Sequence, residues 1–298
     1  MHKLLIFALA GFVAQLVDGS LGMGFGASSS SILLTFGISP AIVSATVHFS
    51  QIATTFVSGT SHLKFKNVHH PTMWRLALPG AFAAFIGAAL LSNIHGEIVR
   101  PYIALFLLSM GLYILYQFLF KRNHPSESKF NQRLKRRYTI PQGFIAGLLD
   151  TLGGGGWGPV NTPVLLSSKK LAPRYVIGTV STSEFFVTLS ASISFIIFLG
   201  FSNIHWGTVI ALALGGVLAA PIAAYLVKIL PVNILAICVS GLIIFTNSNA
   251  LLGYLHLNSN VVVLCRLAII IIFIILIIWM IQKNKKMAFS KQSHSHLN

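Results

Sequence analysis

Acidic residues are scarce in this 298-residue chain, which has five aspartate and glutamate residues against 21 lysine and arginine residues. All charged residues together make up 9% of the chain, whereas a soluble domain carries about 25%. Hydrophobic residues make up 55%, and the mean hydropathy is +0.79. These values argue against a soluble enzyme and against a nucleic-acid-binding domain, which a net charge of +16 would otherwise suggest. They predict an integral membrane protein.

Cysteine is also nearly absent. The two cysteines, Cys238 and Cys265, lie in or beside apolar runs and lack the spacing of a metal site. The motifs HExxH, GxSxG and CxxC do not occur either. We therefore expect no structural disulfide, no cofactor and no enzymatic activity.

Long apolar stretches recur along the chain, each near the roughly 20 residues that a helix needs to cross a bilayer. They are residues 41–59, 76–94, 101–120, 175–201, 206–227, 232–253 and 267–282. A transmembrane barrel would instead need alternating segments of about 10 residues. The predicted fold class is therefore all-α, a polytopic integral membrane protein.

One glycine-rich motif occurs twice. The first copy, Gly11–Gly26, reads GFVAQLVDGSLGMGFG, and the second, Gly143–Gly158, reads GFIAGLLDTLGGGGWG. The offset of 132 residues (143 minus 11) pairs Asp18 with Asp150. In each copy a carboxylate and a glycine cluster interrupt an apolar run, and the pieces beside the first cluster are too short to cross alone. Each segment is therefore one broken span, two tilted spans or a re-entrant hairpin.

The similarity between the halves continues beyond the motifs. With small insertions, Pro40 aligns with Pro173 and Gln51 with Glu184. The chain is thus an internal duplication followed by an extra span. The predicted parts are a first transmembrane repeat at 1–120, a basic cytoplasmic linker at 121–140, a second repeat at 141–255, an extra span at 256–282 and a disordered tail at 283–298.

Basic residues predict the orientation in the membrane. We place the linker in the cytoplasm and let each glycine-broken segment return to the side that it entered from. Then 18 of the 21 lysine and arginine residues lie inside, and only Lys3, Arg100 and Arg266 lie outside. Each repeat makes three full crossings, an odd number, so the second repeat is predicted to be inverted relative to the first. Inverted repeats that meet at broken helices are typical of secondary transporters.

The paired motif, G-F-x-A-x-x-x-D-x-x-x-G-x-G-[FW]-G near the start of each half, resembles the TauE/SafE family of sulfite-exporter-like permeases. The resemblance covers roughly residues 4–255. It implies a multi-pass carrier of the cytoplasmic membrane that moves sulfite, a sulfonate or another small sulfur-containing or organic anion, coupled to an ion gradient. The expected partners are this anion and the lipid bilayer, not nucleic acid, and a homodimer is one assembly open to the chain.

A secondary transporter is the leading function class, because the inverted duplication, broken helices and intramembrane carboxylates occur together. An anion channel is the alternative, and saturable, gradient-dependent flux would separate the two. An integral membrane enzyme is a weaker alternative.

Asp18 and Asp150 are the candidate proton-coupling residues. A charged carboxylate at the bilayer centre costs about 2.5–3.5 kcal/mol on insertion scales, so such a group is expected to be neutral, paired or in a wet cavity. Burial also favours the protonated acid. The alternative hypothesis is that each aspartate only accepts hydrogen bonds from free backbone amides at the helix break.

The candidate substrate-binding residues begin the second half of each broken helix, where unpaired amides and a partial positive charge suit a small oxyanion. They are Gly24, Gly26, Ser28 and Ser29 in the first copy and Gly156, Gly158, Asn161 and Thr162 in the second. The alternative role of these small residues is close helix packing.

Gln51 and Glu184, aligned polar residues inside apolar spans, complete the candidate substrate-binding set. They could meet near the axis that relates the repeats and line the path, or form an ordinary interhelical hydrogen bond. His48 lies one turn from Gln51, and we expect it to be a packing partner rather than a proton relay.

Overall fold

The computed structural model describes residues 2–120, 134–168, 170–171, 173–226, 232–255 and 258–295. Residues 121–133 of the predicted linker therefore lie outside the described residues. The α-helices of the described part are α1 His2–Leu21, α2 Phe25–Thr35, α3 Pro40–Lys64, α4 His70–Asn93, α5 Gly96–Phe120, α6 Arg136–Gly153, α7 Trp157–Ser167, α8 Pro173–Phe198, α9 Trp206–Leu226, α10 Val232–Tyr254 and α11 Ser259–Ser295. A short 3-10 helix, Phe201–Asn203, precedes α9. The described residues contain no strand, so the predicted all-α class is confirmed.

Several helices are long and apolar enough to cross a membrane. Within the described residues these are His70–Asn93, Gly96–Phe120, Arg174–Phe198 and Ser259–Lys283, and Trp206–Ala220 is a shorter apolar helical stretch. By contrast, α2 and α7 have 11 residues each. At 1.5 Å per residue such a helix is about 16 Å long, roughly half the hydrocarbon thickness of a bilayer. The fold is that of a polytopic membrane protein in which two helices are too short to cross.

The chain breaks between α1 and α2, and again between α6 and α7, at the glycine clusters. Gly22 and the aligned Gly154 have φ angles of 66° and 70°, a left-handed conformation that glycine adopts without steric cost. The first break comes slightly later than the sequence suggested, because α1 continues through Asp18 to Leu21. Asp18 and Asp150 therefore lie in the last turns of α1 and α6.

Each half packs one of its helices against a helix of the other half. In the first half α1 packs on α9, and in the second α6 packs on α4. Gly11 of α1 lies against the backbone of Leu212, and the aligned Gly143 of α6 lies against the backbone of Leu76. Such reciprocal contacts are those of a two-fold axis between the repeats. They hold for an axis in the bilayer plane or along its normal, so inversion of the repeats stays a prediction.

The last helix of each repeat, α5 or α10, packs against the other, and one further helix follows. α5 packs on α10, and α11 packs on α10 as an added helix without a counterpart in the first half. α11 includes most of the segment 283–298, where we expected a disordered tail. The order of that segment and the boundaries of the predicted parts stay predictions.

Candidate functional site

The two helix breaks lie against each other. Ser30 Oγ donates a hydrogen bond to the main-chain oxygen of Gly154 at 2.6 Å, and Thr162 Oγ1 donates one to that of Gly22 at 3.0 Å. Ser30 aligns with Thr162 and Gly22 with Gly154, so each repeat gives the other the same contact. The breaks therefore form one unit at the interface of the repeats.

Glycine allows this close approach of the two breaks. Gly26 lies against the backbone of Gly155, and the aligned Gly158 lies against Met23. A Cβ atom on Gly158 would stand 2.8 Å from Met23 Cα, closer than real Cβ contacts. Backbone thus packs on backbone, which is the packing role that we considered for these small residues. Anion contact by Gly24, Gly26, Gly156 and Gly158 stays a prediction.

Each aspartate reaches forward to the start of the next half-helix. Asp150 Oδ1 accepts hydrogen bonds from the amides of Gly156 at 2.7 Å and Trp157 at 2.9 Å. In the first repeat the equivalent contact, from the amide of Phe25 to Asp18 Oδ1, is longer, at 3.4 Å. This is the geometry that the capping hypothesis requires, and it is compatible with a further role in proton transfer.

His48 of α3, which we expected to be a packing partner, contacts a carboxyl group that the sequence did not pair with it. Its Nε2 lies 3.2 Å from Asp150 Oδ2, and both side chains are fully buried. Its Nδ1 lies 2.7 Å from the main-chain oxygen of Ser44, which belongs to the preceding turn of the same helix. The available signal was its position one turn from Gln51, on the helix face that we already placed near the axis.

Gln51 and Glu184 form the interhelical hydrogen bond that was the alternative considered for them, and a role in lining the path stays a prediction. Gln51 Nε2 donates to Glu184 Oε1 at 3.1 Å, joining α3 to α8, and both residues are buried. Asp18 and Asp150 lie within electrostatic range of Glu184. Three of the five acidic residues of the chain are therefore grouped at the repeat interface. The described residues hold no cluster of histidine, cysteine, aspartate and glutamate side chains suited to a metal ion.

Two aligned residues present buried donors without a partner. Ser29 Oγ and Asn161 Nδ2 have no hydrogen-bond partner among the described residues, and both residues are 0% exposed. Gln142 Nε2 donates to Asn161 Oδ1 at 3.0 Å and approaches its main-chain oxygen at 3.5 Å. A main-chain oxygen only accepts, so Gln142 presents its N–H groups here, and Asn161 points its own amide nitrogen away from them.

The hydroxyl groups of Ser28 and Thr162 are used within the protein. Ser28 Oγ donates to the main-chain oxygen of Gly24 at 2.5 Å, and Thr162 Oγ1 bonds across the breaks. Among the predicted hydroxyl and amide donors, Ser29 and Asn161 are therefore the pair with a free donor. Their contact with an anion stays a prediction.

Comparison with known proteins gives one family. The model of the sulfite exporter TauE/SafE family matches residues 7–250. A relative from Bacillus subtilis (strain 168), "Probable membrane transporter protein YtnM", is 46% identical over 283 residues, which cover 95% of this chain and 94% of that protein. No solved structure matches the chain at a significant level.

Proposed function

The chain belongs to the TauE/SafE family and is a multi-pass membrane transporter, and we propose that it carries a small anion together with protons across the cytoplasmic membrane. The substrate class is sulfite, an organosulfonate or a related sulfur-containing or carboxylate compound. The family description and the relative's name both indicate a transporter rather than an enzyme.

The observation that carries the proposal is the pair of unpartnered donors at Ser29 and Asn161. Each lies in the first turns of a half-helix, α2 or α7, where backbone dipoles favour negative charge. A buried donor without a partner costs about 1–3 kcal/mol, and an oxyanion that accepts from it offsets this cost. The nitrogen of an amide only donates, so it supports an anion rather than a cation.

Charge in the site supports coupling to protons. The carboxyl groups of Asp18, Asp150 and Glu184 lie within electrostatic range of one another, and the basic group in contact with them among the described residues is His48. An anion that enters while all three are ionised is repelled. Protonation of a carboxyl removes part of that repulsion, so anion and proton affinities are coupled, and thermodynamics makes this coupling reciprocal.

The test is a flux assay with the purified full-length chain in proteoliposomes. We expect saturable uptake of at least one of sulfite, thiosulfate, a sulfonate or a small carboxylate, compared with vesicles that lack protein. A carrier also exchanges labelled for unlabelled substrate across the membrane faster than it performs net uptake, whereas a channel does not. Absence of flux for the whole panel would contradict the proposed substrate class.

A further inference from the structure

The two aligned aspartates have different surroundings. Asp150 is fully buried, accepts two backbone amides and has its second oxygen 3.2 Å from His48 Nε2. Asp18 is partly exposed, and the hydrogen bond seen at its carboxyl is the long one from Phe25 at 3.4 Å. The aligned aspartates therefore differ in hydrogen bonding: Asp150 has three short contacts, whereas Asp18 has one long contact.

Hydrogen-bonding rules assign one proton to the His48–Asp150 pair. A main-chain oxygen only accepts, so the Nδ1 of His48 donates to Ser44. In a neutral imidazole the other nitrogen, Nε2, then carries no proton, and an ionised carboxylate carries none either. Because these two acceptors lie 3.2 Å apart, a proton lies between them. Asp150 Oδ1 accepts from the amides of Gly156 and Trp157, and its Oδ2 faces His48 Nε2. This is the contact pattern of an imidazolium beside a carboxylate, and on this geometry we assign the proton to His48.

Asp18 lacks such a counter-charge. The position that aligns with His48 in the second repeat, with the offset that pairs Gln51 with Glu184, is Ser181, a residue that carries no charge. The helices packed against α1 are α2, α9 and α10, and their sequences contain no carboxyl, amine, guanidinium or imidazole group. The ionisable groups in electrostatic range of Asp18 are the carboxyls of Asp150 and Glu184, which carry the same sign of charge and cannot act as its counter-charge.

On this basis, and resting on the proposed function, we propose that the aspartates of the two repeats have different roles in proton coupling. The His48–Asp150 pair keeps its proton throughout and acts as a fixed, internally neutral support of the second break. Asp18 is the carboxyl that takes up the coupling proton when the anion binds and releases it when the anion leaves.

The test uses infrared titration of the purified full-length protein without substrate, in which the C=O band of a protonated carboxyl separates from that of a carboxylate. The wild type should show a carboxyl band that grows as the pH falls. Exposed carboxyls such as Glu97 absorb in the same region, so the comparison is between difference spectra. Asp18→Asn should remove one titrating component, whereas Asp150→Asn should retain it. The side-chain amide that Asp150→Asn introduces can still accept from the backbone amides of Gly156 and Trp157 and can donate to His48 Nε2, so this variant should fold.

A second measurement reads the protonation state in the wild type itself, and a variant serves only to assign the signals. In the wild type labelled with 15N-histidine, His48 should show two protonated ring nitrogens at neutral pH, and its signals are identified by their loss in His48→Gln. A neutral His48 would overturn the proposal. So would an Asp18→Asn spectrum that titrates like that of the wild type, or loss of the same component in Asp150→Asn or in Glu184→Gln. Because neither measurement needs a substrate, failure here is distinct from failure of the flux assay.

Discussion

Ser30 and Thr162 occupy equivalent places in the two repeats, and each hydroxyl bonds to the glycine break of the opposite repeat. The bond from Ser30 to Gly154 is 2.6 Å long, and the bond from Thr162 to Gly22 is 3.0 Å long. The two acceptors are the main-chain oxygens of Gly22 and Gly154. These left-handed glycines end their helices, so the oxygens have no donor within a regular helix. Together the two bonds fasten the breaks to each other.

Removal of either bond should therefore destabilise the protein. We expect Ser30→Ala and Thr162→Val each to cost about 0.5–1.5 kcal/mol, since a buried carbonyl loses its donor. Thermal unfolding of the purified variants in detergent measures the effect. Ser109→Ala is the matched control, because Ser109 is exposed and bonds within its own helix to Phe106. Melting temperatures equal to that of the control would show that these bonds do not hold the breaks together.

The unpartnered donors should affect substrate affinity rather than folding. Ser29→Ala removes a donor with little change in volume, and Asn161→Asp replaces an amide nitrogen with an oxygen that repels an anion. Both should raise the half-saturating concentration of the transported anion, Asn161→Asp by the larger factor. Kinetic measurements in proteoliposomes report this value. The controls are Ser109→Ala and Asn93→Asp, which alter exposed residues, and a variant affinity equal to theirs contradicts the assigned anion site.

The two aspartates should differ in how they affect the pH dependence of transport. Asp18→Asn mimics the protonated acid but cannot release a proton, so it should flatten the pH profile of uptake. Asp150→Asn keeps the cap but removes the partner of His48, so it should lower the rate at every pH and leave the shape of the profile intact. Sulfite uptake measured across a pH series decides this. Unchanged profiles and rates in both variants would end the proton-coupling hypothesis.

Inversion of the repeats predicts the sides of two loops. A reporter fused after Phe36 and one fused after Leu171 follow equivalent half-helices, α2 and α7. They should report opposite sides of the membrane, because the arrangement that places 18 of the 21 basic residues in the cytoplasm is the inverted one. Reporters on the same side would mean that the two-fold axis runs along the bilayer normal and that the repeats are parallel.

The sequence predicted the symmetric features of the site and missed its asymmetric one. Aligned residues of a duplicated chain meet at the axis between the copies, so the alignment of Gln51 with Glu184 was enough to suggest their contact. The contact of His48 with Asp150 joins residues that are 102 positions apart and has no equivalent in the other repeat. Neither periodicity nor internal alignment reveals a contact that only one repeat makes. Both breaks also begin a few residues after the aspartates, since Asp18 and Asp150 lie in the last turns of α1 and α6.

Coupling of anion and proton movement is the central claim, and it is tested most directly by uptake into proteoliposomes under an imposed pH gradient. The vesicles contain the wild-type chain, hold equal sulfite concentrations on both sides and are clamped at zero membrane potential. The account predicts that sulfite accumulates on the side to which protons flow, and that an ionophore that collapses the pH gradient abolishes the accumulation. Facilitated sulfite flux that only equalises its own concentration, with or without the pH gradient, would contradict it.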